Sequence, residues 1–223
     1  MAELVDIYEL SRRVQGIGAA CTTTVLHDND VAGALLSFLV ERPQALVAMA
    51  TRARGVLGEH LLGGVTESLL ARADRPILMV GPSARITDPL PSPTLVAGVN
   101  ATTTSEAVLP ALAAWIGSFG GPPPWLVEVL PARREAQRLG EIGESDHVQM
   151  LATRLNEHGI KAKWEVAHAR HPETVLIEFA DRLVDAVLVV ASVRWTDPEH
   201  SHLASVARRL AHRAHHPVLV VPA

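Results

Sequence analysis

The residues best suited to hold an anion follow an apolar run in the first third of the chain. Ala45–Ala50 is short and apolar, which is typical of a buried strand, and Arg52 and Arg54 come directly after it. Gly63 and Gly64 lie at the start of the next helical pattern. Backbone N–H groups at a helix start, together with arginine side chains, are suited to bind phosphate. The alternative is close packing of a helix on a sheet, with solvated arginines at its rim.

Histidine is the other residue type that invites a chemical interpretation, since the chain has eleven. His212, His215 and His216 lie close together at a predicted helix end, where histidine complements the helix dipole. Metal sites need convergent geometry and usually carboxylate or thiolate ligands as well. Ser205 has no base at a fixed spacing, and Cys21 lies in a predicted strand, where an inert thiol is expected. The sequence therefore predicts neither a metal site nor an enzyme.

The anion-binding candidates lie inside a strand–loop–helix–strand segment, Ala45–Pro82. Leucine and valine recur at helical spacing after the loop, and Pro76 precedes a second apolar strand, Ile77–Val80. In such a βαβ unit, the loop lies at the carboxyl end of a strand, where open α/β sheets bind anionic ligands.

The same segment recurs at the end of the chain. An offset of 141 positions places Ala45–Pro82 on Ala186–Ala223 without a gap, and the alignment extends back to Leu10 and Leu151. One long repeat without insertions predicts two copies of one α/β unit. The second copy begins near Thr94, and subtracting the offset from Thr94 gives a position before Met1. The opening strand, helix and second strand of the second copy therefore have no counterpart in the first copy.

The complete second copy alternates five strands with four helices, which predicts a parallel sheet covered on both faces. The first copy should contribute three strands, namely Cys21–Leu26, Ala45–Ala50 and Ile77–Val80. We expect a truncated domain at 1–82, a proline-rich linker at 83–93 and a complete domain at 94–223.

Composition and charge argue against some classes of binding partner. A net charge of −4 argues against a nucleic-acid-binding surface. A single cysteine excludes an internal disulfide, as expected of a cytoplasmic protein. No apolar run approaches the length of a membrane span, so neither nucleic acid nor a membrane is expected as a partner.

The five-strand pattern and the segment after the fourth strand of each copy resemble the universal stress protein family. The resemblance covers nearly the whole chain, as a tandem pair whose first member is truncated. It implies an adenine nucleotide alpha hydrolase-like α/β sheet with strand order 3-2-1-4-5 in the complete unit, and a first unit lacking strands 1 and 2. It also implies dimerisation through the last strand and, in many members, binding of ATP or AMP.

The family's nucleotide signature is Gly, two residues, Gly, nine residues, Gly and then Ser or Thr, with an Asp at the end of strand 1. In the first copy, this pattern falls on Ala50, Ala53, Gly63 and Gly64. In the second copy, it falls on Ala191, Arg194, Ala204 and Ser205. Asn100, followed by Ala101, takes the place of the strand-1 Asp.

Losing these glycines hinders the backbone from approaching phosphates, although Arg194 could itself pair with one. We therefore predict a non-enzymatic stress-response protein with degenerate nucleotide loops, which requires no cofactor and binds ATP weakly or not at all. The alternative is an ATP- or AMP-binding protein with a modified phosphate loop. A homodimer or an intramolecular domain pair is expected through the last strands, Ile77–Val80 and Val218–Val221.

Overall fold

The computed structural model describes residues 9, 11–16, 18, 20–51, 64–85, 92–131, 145–192 and 201–223, without the side chains of 201–205. Contacts divide the chain into two compact units, Met1–Pro43 and Gln44–Ala223. The strands on either side of residue 82 belong to one sheet. Each unit is described by itself.

The first unit contains a capped helix, α1 (Val31–Val40). The Asp30 side chain accepts a hydrogen bond from the Gly33 N–H at 2.9 Å, which satisfies one of the helix's first amide groups. At the other end, the Arg42 guanidinium donates to the Phe38 carbonyl oxygen at 2.7 Å and lies over the Phe38 ring. Local side chains therefore fix both ends of α1.

The predicted strand Cys21–Leu26 is wrong. These residues have no regular secondary structure, and Val25 and Leu26 are exposed. A strand needs a neighbour to complete its hydrogen bonds. In the predicted order, its neighbour is the second strand of the first copy, which has no counterpart in the chain. The first copy therefore contributes two described strands rather than three.

The second unit is an α/β structure built on a seven-stranded, mostly parallel sheet. Its elements in chain order are β1 (Val47–Ala50), α2 (Gly64–Arg72), β2 (Ile77–Val80), β3 (Thr94–Val99), a 3-10 turn (Ser105–Ala107), α3 (Val108–Phe119), β4 (Trp125–Leu130), α4 (Asp146–Glu157), β5 (Lys163–His168), α5 (Pro172–Ala180), β6 (Ala186–Ser192), α6 (Ser201–Arg213) and β7 (Val218–Pro222). No helix among the described residues is long and apolar enough to cross a membrane.

The strands lie in the order β1-β2-β7-β6-β3-β4-β5. The five strands from Thr94 onward in the chain are therefore neighbours, in the order β7-β6-β3-β4-β5. Neighbouring strands are parallel except β2 and β7, which are antiparallel. Because β3 and β6 are parallel neighbours, their carboxyl ends meet at one edge of the sheet.

The strand registers follow the sequence repeat. Val47 pairs with Ile77, and Leu188 pairs with Val218, so both partners are displaced by the same 141 positions. In the antiparallel pair of β2 and β7, Leu78 lies opposite Leu219, and these two residues are also related by that offset. The β2–β7 pair therefore has a local two-fold relation centred on the two leucines.

Apolar side chains cover the sheet. A buried cluster joins residues of β3, β4, β6 and β7 to the inner sides of α3 and α4, including Leu95, Ala97, Leu112, Leu126, Leu151, Val189 and Leu219. In β3, Gly98 permits the close approach of α5, since a Cβ atom there would lie 2.8 Å from Leu176 Cδ1. All seven residues of β6 are buried, as expected for a parallel strand covered on both faces.

Candidate functional site

A cavity of about 120 Å³ lies at the carboxyl ends of β3 and β6. This is the place where open α/β sheets bind ligands. Three strands, the turn after β3 and helices α5 and α6 line it. The described lining residues are Gly98, Val99, Asn100, Ser105, Val127, Val129, Pro172, Leu176, Val190, Ala191 and Val206. Asn100 and Ser105 supply the polar side chains of this set, and none of the set is charged.

Both polar side chains are hydrogen-bonded within the turn that follows β3. The Ser105 hydroxyl accepts from the Asn100 N–H at 3.1 Å and donates to the Asn100 carbonyl oxygen at 2.6 Å. The Thr102 hydroxyl donates to Asn100 Oδ1 at 2.6 Å. Ser105 is 4% exposed. The turn is therefore closed by its own side chains, and the side-chain acceptor of Asn100 is already engaged.

The structure brings together some of the predicted site residues. Asn100 and Ala191 line the cavity, and Ala101 lies beside Asn100 with its side chain exposed. Ala50 ends β1, an edge strand that β2 and β7 separate from β6. Gly64 is the first residue of α2. The first-copy residues that are described therefore do not contribute to this cavity.

The remaining predicted site residues belong to the two predicted phosphate-binding loops. Arg52, Ala53, Arg54, Gly63 and Arg194 lie outside the described residues. Ala204 and Ser205 belong to α6, but their side chains are also outside the described part. The predictions for both loops remain predictions.

Sequence reasoning did not assign several cavity residues to the site. Val127 and Val129 stand two positions apart on β4, a spacing that places both on one face of the sheet. Pro172 and Leu176 belong to α5, and Val206 belongs to α6. The alternation along β4 was available in the sequence, but the contribution of α5 depends on how closely Leu176 approaches Gly98.

A polar network lies at the same end of the sheet. Glu128 on β4 is 1% exposed, and its Oε1 lies 3.1 Å from His147 Nδ1 on α4. His147 Nε2 lies 4.0 Å from Glu106 Oε1, and Arg154 donates to Glu106 Oε2 at 2.6 Å. Because Glu106 follows Ser105 directly, this network ties α4 to the turn that closes the cavity.

An ion pair between a buried glutamate and a partly exposed arginine connects α5 and α6. Glu173, in the first turn of α5, is 2% exposed, and Arg209 of α6 donates to its Oε1 at 3.1 Å. Glu173 stands between the cavity residues Pro172 and Leu176 in the sequence of α5. The pair therefore connects the two helices that line the cavity, which keeps this wall in place.

Two of the candidate metal-ligand histidines contact a carboxylate. His215 Nδ1 lies 2.9 Å from Asp181 Oδ2, and His216 Nε2 lies 3.2 Å from Asp181 Oδ1. Within the described part of the chain, no group of three or more His, Cys, Asp or Glu residues could hold a metal ion. These histidines join the end of α5 to the segment between α6 and β7.

A comparison with protein families identifies the family of this chain. A family model described as the universal stress protein family matches residues 2–81 and 120–222. None of the curated proteins matches this chain.

Solved structures show a similar fold. A universal stress protein from Archaeoglobus fulgidus is 14% identical with a TM-score of 0.69, over 96% of this chain and 75% of that chain. A putative universal stress protein from Pseudomonas aeruginosa is 14% identical with a TM-score of 0.65, over 98% of this chain and 77% of that chain. A smaller A. fulgidus universal stress protein, solved in complex with dAMP, is 20% identical over 58% of this chain and 97% of its own. Its TM-score of 0.42 is too low to transfer the ligand to this chain.

Proposed function

The chain belongs to the universal stress protein family, and we propose that it is a non-enzymatic stress-response protein with degenerate nucleotide-binding loops. It acts by association with other molecules rather than by turnover of a nucleotide, and it requires no cofactor. Neither nucleic acid nor a membrane is among the partners we propose.

The observation that carries this proposal is the state of the polar groups in the cavity. A ribose presents hydroxyl donors, and a carboxylate at the end of the first strand of the unit would accept from them. Asn100 occupies that position, and its Oδ1 already accepts a hydrogen bond from Thr102. The Ser105 hydroxyl is bonded to the backbone of the same turn. These bonds within the turn occupy part of the hydrogen-bonding capacity of both side chains, which supports a weak hold on the sugar of a nucleotide.

Size and polarity support the same conclusion. A cavity of about 120 Å³ is small beside ligand pockets of roughly 300–1,000 Å³. The described lining is mostly valine, leucine and alanine, and burying phosphate charge against such side chains is unfavourable unless the charge is paired. We therefore expect ATP to bind weakly or not at all.

The proposed organisation is a tandem pair with a truncated first domain at 1–82, a linker at 83–93 and a complete domain at 94–223. The equal registers of β1–β2 and β6–β7 support this reading of the repeat. The antiparallel contact of β2 with β7 supports an intramolecular pairing of the two domains through their last strands.

One observation favours a second candidate, a protein that binds ATP or AMP through a modified loop. The cavity opens at the carboxyl ends of two adjacent parallel strands, β3 and β6, the usual place for a ligand in such sheets. In this case Arg194 would supply a charge for the phosphates that the lost glycines no longer hold.

Restoring the carboxylate tests the proposal. In Asn100→Asp, a charged acceptor replaces the amide, and one hydrogen bond to a charged group is worth about 1.5–3 kcal/mol. We expect calorimetric titration to show ATP binding at least about tenfold tighter than in the unmodified chain. Asn156→Asp makes the same chemical change on the exposed side of α4 and should leave ATP binding unchanged.

The opposite outcome is equally clear. Micromolar binding of ATP to the unmodified chain, abolished by Ser205→Ala or Gly63→Val, would show that the degenerate loops still work. That result would favour the second candidate.

A further inference from the structure

The junction between β2 and β7 contains pairs of residues that the repeat makes equivalent. We call this junction the seam, and define it as Ile77–Met79 paired with Val218–Val220, together with Glu67 of α2 and Arg208 of α6. The local two-fold relation is centred on Leu78 and Leu219, so Leu78 faces its own counterpart. Ile77 faces Val220, the counterpart of Met79, and Met79 faces Val218, the counterpart of Ile77. Two identical copies would present identical residues at these places, whereas this chain presents different ones.

The first difference is in side-chain size. Ile77 pairs with Val220 and Met79 pairs with Val218, and all four are at most 3% exposed. The larger side chains are thus all on β2, and the smaller ones are all on β7. Two β7 strands would place valine against valine and leave space, while two β2 strands would place isoleucine against methionine and crowd the seam.

The second difference is in charge. Glu67 Oε1 and Arg208 Nη2 lie 3.8 Å apart, at positions related by the 141-residue offset. The same geometry between two α6 helices would bring arginine against arginine, and between two α2 helices glutamate against glutamate. Like charges placed together disfavour the wrong partner, which is how interfaces gain specificity.

The third difference is in how closely the backbones approach. A Cβ atom at Gly81 would overlap the carbonyl oxygen of Ala211 in the last turns of α6. The counterpart of Gly81 is Pro222, so a pair of two β7 strands would place a proline ring at this contact. After Gly81, the chain stays attached to the end of α6, since Ser83 Oγ donates to the His212 carbonyl oxygen at 2.9 Å.

We propose that the seam is a heterotypic recognition surface, on which β7 accepts β2 of its own chain and rejects β7 of a second copy. Size and charge favour the mixed pair over either identical pair, and backbone approach also disfavours a pair of two β7 strands. The last strand of this chain is therefore committed within the molecule. A second copy or any other partner must bind at a different surface. This inference rests on the geometry of the seam and not on the proposed function.

A charge-exchange cycle in the full chain tests the seam. Glu67→Arg and Arg208→Glu each place like charges together, and each should lower the thermal midpoint by about 2–4 °C, the shift that corresponds to about 1 kcal/mol in a chain of this length. The double variant restores an opposite pair and should recover most of the loss. Glu178→Arg, an equal charge change on the exposed side of α5, should show no such recovery with Arg208→Glu.

A size-exchange cycle tests the seam without using charge. Met79→Val creates space against Val218, and Val218→Met crowds Met79. The double variant keeps the total side-chain volume. Its loss of stability should be smaller than the sum of the losses in the two single variants. If neither cycle shows this coupling, the proposal is overturned.

Cross-linking tests partner choice directly. Both variants are made in a Cys21→Ser background. In the single variant Leu219→Cys, a β7–β7 junction would bring the cysteines of two chains together. In the double variant Leu78→Cys with Leu219→Cys, the two cysteines lie opposite each other within one chain. Under mild oxidation, we expect the double variant to form an intrachain disulfide and the single variant to remain a monomer. A disulfide-linked dimer of the single variant would show β7 pairing with β7 and would contradict the proposal.

Discussion

The segments β1–α2–β2 and β6–α6–β7 have the same order of elements and the same strand register, yet they differ in burial. All seven residues of β6 are buried, while Ala48 and Ala50 of β1 are exposed. The difference lies in the neighbours, because β6 has β3 on its other side and β1 is an edge strand. The repeated sequence thus specifies the local unit, and the rest of the sheet decides how much free energy its burial contributes.

The largest expected effect comes from matched truncations in these two strands. Leu188 is fully buried in β6, and its counterpart Val47 is partly exposed in β1. Leu188→Ala should lower the free energy of unfolding by about 2–5 kcal/mol, whereas Val47→Ala should cost less than about 1.5 kcal/mol. Urea denaturation measures both. Equal losses would show that β1 is buried as deeply as β6 and would break the comparison.

The next largest effect is expected at Gly81, directly after β2, where the second copy has Pro222. Gly81→Ala puts a Cβ atom against the Ala211 carbonyl oxygen and should lower the free energy of unfolding by about 1–3 kcal/mol through overpacking. Gly117→Ala is the matched control, since nothing lies within 4 Å of a Cβ atom there. Because Gly117 is inside α3, the control should gain about 0.5–1 kcal/mol. If Gly81→Ala does not lower the free energy of unfolding, the backbone at Gly81 does not approach α6 as closely as described.

A smaller effect concerns the ion pair that only the second copy has. The offset relates Glu173 and Arg209 to Ala32 and Ser68. Arg209→Ser leaves the Glu173 carboxylate buried without this partner, and should cost about 1–2 kcal/mol because Arg209 is itself partly exposed. Glu173→Ala combined with Arg209→Ser installs the residues of the first copy and should be more stable than Arg209→Ser alone. Chemical denaturation of the three chains decides this. If the double variant is less stable than Arg209→Ser alone, then Glu173 stabilises the fold even without Arg209, which would contradict this prediction.

The smallest effect is on the titration of Asp74, whose counterpart is His215. Arg75 donates Nε to Asp74 Oδ1 at 3.0 Å and lowers the pKa of Asp74 below its ordinary value of 3.8. A lowered folded-state pKa stabilises the fold above the unfolded pKa, and this contribution is lost as the pH falls through the folded value. Arg75→Gln should raise the pKa of Asp74 toward 3.8, as measured by NMR titration. An unchanged pKa would mean that Arg75 is not the cause.

Much of the fold could be predicted from hydrophobic pattern and repeat. The predicted strand Ile77–Val80 occurs with those bounds, because a short apolar run between a proline and a glycine specifies a buried strand strongly. Cys21–Leu26 failed because its β-forming side chains are a local signal, while a strand requires a neighbour that the chain does not supply.

The candidate site was predicted less completely. Asn100 and Ala191 were assigned through the family's nucleotide signature, and the structure places them directly after β3 and near the end of β6. Leu176 and Val206 could not be assigned, because their place in the cavity depends on helix packing that periodicity does not contain. Glu128 gave no signal either, since its partner His147 is 19 positions away and meets it only through the packing of α4 on β4.

The central claim is that this chain keeps the family fold while its nucleotide site has degenerated. Native mass spectrometry of the gently purified protein, with nothing added, tests that claim most directly. We expect the mass of the chain alone, because the cavity residues that would hold a nucleotide's sugar are bonded to one another. An additional mass equal to ATP or AMP, retained through purification, would contradict the account.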